Sequence, residues 1–179
     1  MFGRLTLNPV AHFDPLGGVL LVATVFLSGG SFGFGWAKPT PVNPLNLEGG
    51  RRGDAIVALA GPVSNFVLAA AAAIPLRFIL ANGELSNDVP MLASTLLYFV
   101  NINLVLMVFN LLPIPPLDGS KVLFAALDRE TEWRVRPFLE QYGFIILFIL
   151  ILPILPGGSL LGRILLPIID GLRGLLVGI

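Results

Sequence analysis

Two apolar runs, Ala55–Leu80 and Val89–Leu112, constrain this chain more than any other feature. Each is long enough to cross a hydrocarbon core, which takes about 20 residues of helix. Backbone polar groups inside a bilayer find partners only within the protein, so runs of this kind are helical. Composition agrees. Hydrophobic residues make up 55% and charged residues 12% of the chain, against roughly 25% charge in a soluble domain. Lys+Arg and Asp+Glu balance at 11 each, so net charge gives no pointer to nucleic acid as a partner. The absence of cysteine excludes disulfides, thiolate ligands and cysteine nucleophiles.

The remaining segments are shorter or more polar. Residues 1–15 lack the basic, apolar and small-residue sequence of a signal peptide and read as a lead-in loop. Residues 16–28 are apolar but short for a full crossing, so they form a short tilted span or a re-entrant helix. Residues 29–53 are rich in Gly and Pro, and alternation around Phe32, Phe34 and Trp36 suggests short extended strands. Pro62 and Pro75 interrupt the first long run, and Pro113, Pro115 and Pro116 end the second. A helix can restart over Ser120–Leu127; Asp128–Gln141 is charged and polar; Tyr142–Leu155 and Leu160–Ile179 are apolar. The expectation is an all-α polytopic membrane protein with about four transmembrane or re-entrant helices. It forms a single domain over residues 1–179, with a small extended or β-hairpin loop near residues 31–44. Its core is a helix pair in residues 54–127, followed by apolar helices in residues 142–179.

Lys and Arg favour cytoplasmic loops. Lys38, Arg51 and Arg52 precede the first long run, and Arg129, Arg134 and Arg136 follow the second. The turn between the runs holds Glu84 and Asp88 and no basic residue. Both basic segments are therefore expected in the cytoplasm, which puts Asp118 on the cytoplasmic side of a cell membrane. Arg51 and Arg52 read as a headgroup anchor.

Polar groups at membrane depth cost about 2.5–3.5 kcal/mol each when ionisable and mark candidate sites. Asp118 follows the proline break and can serve as a hard metal ligand or proton carrier. It can equally cap a helix starting near Ser120, with Lys121 as its partner one turn on. Asn65 and Asn110 lie in or at the end of the long runs. They either bond between helices or face a shared cavity and bind a peptide or an oxyanion. Asn101 and Asn103 are expected to pack against another helix. His12 and Asp14 are two residues apart in a proline-bounded turn, where a structural hydrogen-bonding role is the expectation for His12.

Several ordered motifs carry a resemblance. Asn110-x-x-Pro113-x-Pro115-Pro116-Leu117-Asp118-Gly119 resembles the Asn-x-x-Pro and Leu-Asp-Gly motif of the site-2 protease family, the intramembrane zinc metalloproteases. Gly61-Pro62-x-x-Asn65 resembles that family's Gly-Pro-x-x-Asn motif. Gly33 to Pro39, Pro41 to Pro44, and Gly3 to Pro15 look like segments of its short prokaryotic members. The likeness runs from about Gly3 to about Leu127.

The resemblance implies hydrolysis of a peptide bond in or near the membrane. It implies zinc as cofactor, a transmembrane peptide or protein as substrate, and membrane lipids as surroundings. Asp118 would be a zinc ligand, and Asn65 and Asn110 would lie near the substrate or intermediate. The loop at residues 29–44 would present the substrate as an extended strand. The family's other ligands are the histidines of a His-Glu-x-x-His helix, whose glutamate is the general base. No such motif occurs in these residues, and His12 is the sole histidine. The expectation is therefore a truncated chain that holds no catalytic zinc and cleaves nothing. The alternative is a protease-like scaffold that binds transmembrane peptides without cutting them. A small channel or transporter using Asp118 is a third reading, and no internal repeat favours it.

Overall fold

The first helix follows from a two-residue signal. In the structure, a computed structural model describing residues 13–27, 49–82, 91–152 and 158–178, the Asp14 carboxylate accepts the amides of Leu16 (2.9 Å) and Gly17 (3.2 Å). With Pro15 at the first helical position, this is a capped helix start. The helix α1 runs Pro15–Leu27, 13 residues, or roughly 20 Å at 1.5 Å per residue. It belongs to a unit covering Met1–Asn46, separate from the unit Leu47–Ile179 that holds the other helices. Asp14 thus has a structural role. His12 and the expected β-hairpin of residues 31–44 lie outside the described residues.

The second unit is built on two helices long and apolar enough to cross a membrane. They are α2, Arg51–Asn82, and α3, Met91–Asn110. Neither Pro62 nor Pro75 interrupts α2, which is continuous over 32 residues. Each proline removes one backbone donor, yet the intact turns on either side hold a helix that lacks competing water. At 1.5 Å per residue α2 is about 48 Å long, well beyond a core of about 30 Å. Its overhang of about 18 Å includes the charged first turn, Arg51, Arg52 and Asp54. The 20 residues of α3 fit the core without overhang.

Small side chains bring α2 and α3 together. Ala69, Ala73 and Ala93 are buried, with Leu76, Val100 and Leu104 between them. Close approach through small residues is how membrane helices gain packing without a hydrophobic drive. The outward faces are apolar and exposed: Ile74 is 72% exposed, Leu92 60% and Met91 88%. Such an apolar exterior is the surface that lipid covers and water does not.

Three more helices complete the unit: α4, Asp118–Ala126; α5, Arg129–Ile151; and α6, Leu160–Val177. Leu161, Leu165, Ile169 and Val177 of α6 join the α2–α3 core. Ser159 caps α6 by accepting the Gly162 amide at 3.0 Å. The charged stretch from Arg129 belongs to α5, capped by Asp128 accepting the Thr131 amide at 2.9 Å. This hydrogen bond holds the Asp128 carboxyl below its ordinary pKa. Glu132–Arg136 and Arg136–Glu140, each four residues apart, line the helix. Such pairs support a helix that apolar periodicity does not mark. Among the described residues there is no sheet. Among the described residues two helices, α2 and α3, qualify as candidate spans.

One glycine determines how α4 leaves α3. The Pro115–Pro116 bond is cis, and the turn delivers Gly119 onto the end of α3. A Cβ there would overlap the carbonyls of Leu111 and Leu112. These are backbone atoms, which cannot swing aside. Gly119→Ala is therefore expected to destabilise the protein by about 1–3 kcal/mol, the usual range for overpacking. Unfolding in detergent checks this. A variant as stable as the parent would mean that α4 does not seat there.

Candidate functional site

The short helix α4 lies antiparallel along the first turns of α2, held at three points. Asp118, at its start, faces Gly61: a Cβ on Gly61 would lie 3.5 Å from Asp118 Oδ2. One turn on, Lys121 Nζ pairs with Asp54 Oδ1 at 3.5 Å. At the far end, the Arg51 guanidinium donates to the carbonyls of Phe124 and Leu127, the latter at 2.6 Å. Asp54, Ala58, Gly61 and Asn65 are spaced as one face of a helix, and on that face Asp54 and Gly61 meet α4. The Gly-Pro-x-x-Asn and Leu-Asp-Gly motifs are therefore in contact, through Gly61 and Asp118.

Asp118 does not cap its helix. The N-cap of α4 is Leu117, with no side-chain cap bond, and Lys121 turns to Asp54. The capping alternative is thus overturned, and Lys121 acts on Asp118 through its charge alone. The helix begins one residue earlier than a cap at Asp118 would allow, because Leu117 is already extended (φ −75°, ψ 155°). The Asp118 carboxylate enters no hydrogen bond or salt bridge with a described residue. Partial burial pushes its pKa up, Lys121 opposes this, and Asp54 adds to it.

The Arg51 guanidinium is engaged within the protein. Besides the two α4 carbonyls, it pairs with Glu132 Oε2 of α5 at 3.1 Å, a side chain only 10% exposed. No basic residue occupies the last turn of α4, so Arg51 supplies from another helix the positive charge that a helix C-terminus favours. Arg51, Asp54, Lys121, Glu132, Arg136 and Glu140 share the lining of a cavity of about 190 Å³, room for several waters. Three cations face three carboxylates, so the cavity has no net charge to attract an ion. The two basic segments noted in the sequence meet here, at one end of the α2–α3 pair. Motif reading passes over Arg51, Asp54 and Glu132. The helical spacing of Arg51 and Asp54 before Gly61 hints at those two, and nothing in the motifs hints at Glu132.

The two asparagines are not joined to each other. Asn65 follows Gly61 by one turn and precedes fully buried Ala69 by one turn, and its amide has no hydrogen-bond partner among the described residues. The Asn110 Nδ2 donates to the Leu106 carbonyl of its own helix at 2.9 Å. Asn103, buried, does the same with Phe99 at 2.8 Å. Asn101 Oδ1 is buried without a partner among the described residues. The loop at residues 29–44 lies outside the described residues.

A catalytic zinc takes three protein ligands. Among the described residues no group of three His, Cys, Asp or Glu stands close enough to hold a metal. Asp118, half-buried and unengaged, has the chemistry of one hard ligand, and the described residues do not complete a set around it.

Comparison with known proteins bears on these residues directly. A family described as "Peptidase family M50" matches residues 78–152, which include Asn110 and Asp118. The "Putative zinc metalloprotease YwhC" of Bacillus subtilis (strain 168) is 37% identical over 159 residues, covering 88% of this chain and 68% of that protein. The "Putative zinc metalloprotease Rip2" of Mycolicibacterium smegmatis (strain ATCC 700084 / mc(2)155) is 33% identical over 151 residues. That match covers 84% of this chain and 54% of the relative. The chain thus spans about two thirds of one relative and about half of the other. No solved structure matches it.

The Arg51 clamp has a measurable consequence. Hydrogen bonds to charged groups contribute about 1.5–3 kcal/mol each. Arg51→Gln should therefore speed amide exchange in α4 by roughly ten- to a hundredfold while sparing α3. Arg52→Gln, at the exposed neighbour, should leave both unchanged. Equal exchange in all three proteins would contradict the clamp.

Proposed function

The chain belongs to peptidase family M50, the site-2 proteases, which are membrane-embedded zinc metalloproteases. On that premise we propose that these residues form the aspartate-bearing half of a zinc endopeptidase cleaving transmembrane peptides or proteins. The observation that carries this reading is the unengaged Asp118 carboxylate against Gly61. A carboxylate left without a partner costs desolvation that a bound cation offsets. In this reading Asp118 is a zinc ligand, and the free amide of Asn65 with the side-chain oxygen of Asn110 meets the substrate backbone. Residues 29–44 add a substrate strand by edge pairing. The remaining zinc ligands and the general base lie outside the described residues, so no reaction step follows from these helices alone.

The proposed protein is a multi-pass protein of the cell membrane. The ionic foot shared by α2, α4 and α5 lies in the cytoplasm, in keeping with the Lys/Arg bias. The short α1 and the apolar stretches of α5 and α6 would add to the two candidate spans. A second reading, a scaffold that binds transmembrane peptides without cutting them, draws on one fact: these 179 residues contain one histidine, His12.

Metal analysis separates the two. The 179 residues alone should retain no stoichiometric zinc. Joined in cis to a family helix bearing His-Glu-x-x-His, they should retain about one zinc per chain and lose it in Asp118→Ala, since removing one of three ligands abolishes the site. Zinc absent from the joined protein would favour the scaffold, and zinc surviving Asp118→Ala would remove Asp118 from the ligand set.

A further inference from the structure

Asp118 and Lys121 are three residues apart on α4, a spacing at which opposite charges on a helix normally meet. Lys121 is the only cation on that helix. The ammonium goes elsewhere: Lys121 Nζ lies 3.5 Å from Asp54 Oδ1, across the α2–α4 contact. Asp54 lies on the same face of α2 as Gly61, seven residues before it. It occupies the first turn of α2, where the helix dipole favours a negative charge. The pair is half-exposed, with side chains 42% and 27% accessible, and pairs of that kind contribute little to stability. Its consequence lies instead in where it leaves the ammonium.

We propose that Asp54 is a positioning residue that keeps the Lys121 ammonium from bonding to Asp118, leaving the carboxylate beside Gly61 open to a cation. A carboxylate bonded to an ammonium has a lone pair occupied and a positive charge beside it, and both oppose an incoming metal ion. Neutralising Asp54 leaves Asp118 as the acidic partner that helix spacing offers Lys121. The consequence for zinc rests on the protease reading; the hold on Lys121 does not.

A zero-length carbodiimide, which joins a carboxylate to an amine only where the two touch, tests the hold on the 179-residue protein in detergent. Peptide mass spectrometry of the wild type should show a Lys121–Asp54 amide and no Lys121–Asp118 amide. In Asp54→Asn the amide should shift to Asp118. A Lys121–Asp118 link in the wild type overturns the proposal with no variant needed. So does the lack of such a link in folded Asp54→Asn.

The metal arm uses the protein joined to a His-Glu-x-x-His helix. Asp54→Asn should weaken zinc binding about tenfold, at the lower end for residues that act through a ligand. Lys121→Met alone should bind at least as tightly as the parent, and Lys121→Met should restore binding in the Asp54→Asn background. Equal losses in both single variants, with no rescue, would make the pair a mere brace and overturn the positioning role. If the cross-links shift as expected while no joined protein binds zinc, the hold on Lys121 stands and the protease reading falls.

Discussion

The close contact of backbone with backbone at the start of α4 governs the rest of the structure. Gly119 seats against the carbonyls that end α3, where no side chain fits. Gly61 opens the face of α2 opposite, and the Asp118 carboxylate lies against it. Two glycines from two distant motifs thus set the two contacts on either side of Asp118, one with α3 and one with α2. In a membrane protein this arrangement has added force, because helix association depends on packing more than on expulsion of water. A bulky residue at either glycine would displace α4 and carry Asp118 away from the face of α2.

Position along α4 is then fixed from its other end. Nine residues make too short a helix to be stable alone, and no side chain caps its start. Arg51 binds two of its last carbonyls and reaches on to Glu132 of α5. The charged overhang of α2 is therefore part of the apparatus that aims Asp118. The long apolar part of α2 supplies the wall against which α3 and α6 pack. A single helix serves lipid, core and site along successive stretches of its length.

Much of this was legible in the sequence. The two candidate spans follow from apolar length and composition alone. The weight on Asp118 comes from residue identity and order, whereas its contact with Gly61 shows only in the fold. Other features were hidden for physical reasons. Pro62 and Pro75 reads as a break by water-based rules, yet α2 passes through both. The helix over Arg129–Gln141 carries its signal in charges four residues apart, not in apolar periodicity. The engagement of Arg51 within the protein is hidden because its partners include backbone carbonyls 73 and 76 residues away, and backbone leaves no trace in a motif. The cap expected at Asp118 failed because the extended residue is Leu117.

The central claim is that Gly61 and Asp118 face each other across the α2–α4 contact. The chain has no cysteine, so the double variant Gly61→Cys/Asp118→Cys reports that contact without background. Mild oxidation in detergent should join α2 to α4 by a disulfide in most molecules, seen as a linked peptide pair after digestion. A pair that stays reduced under oxidant, while the protein remains folded, would contradict the account.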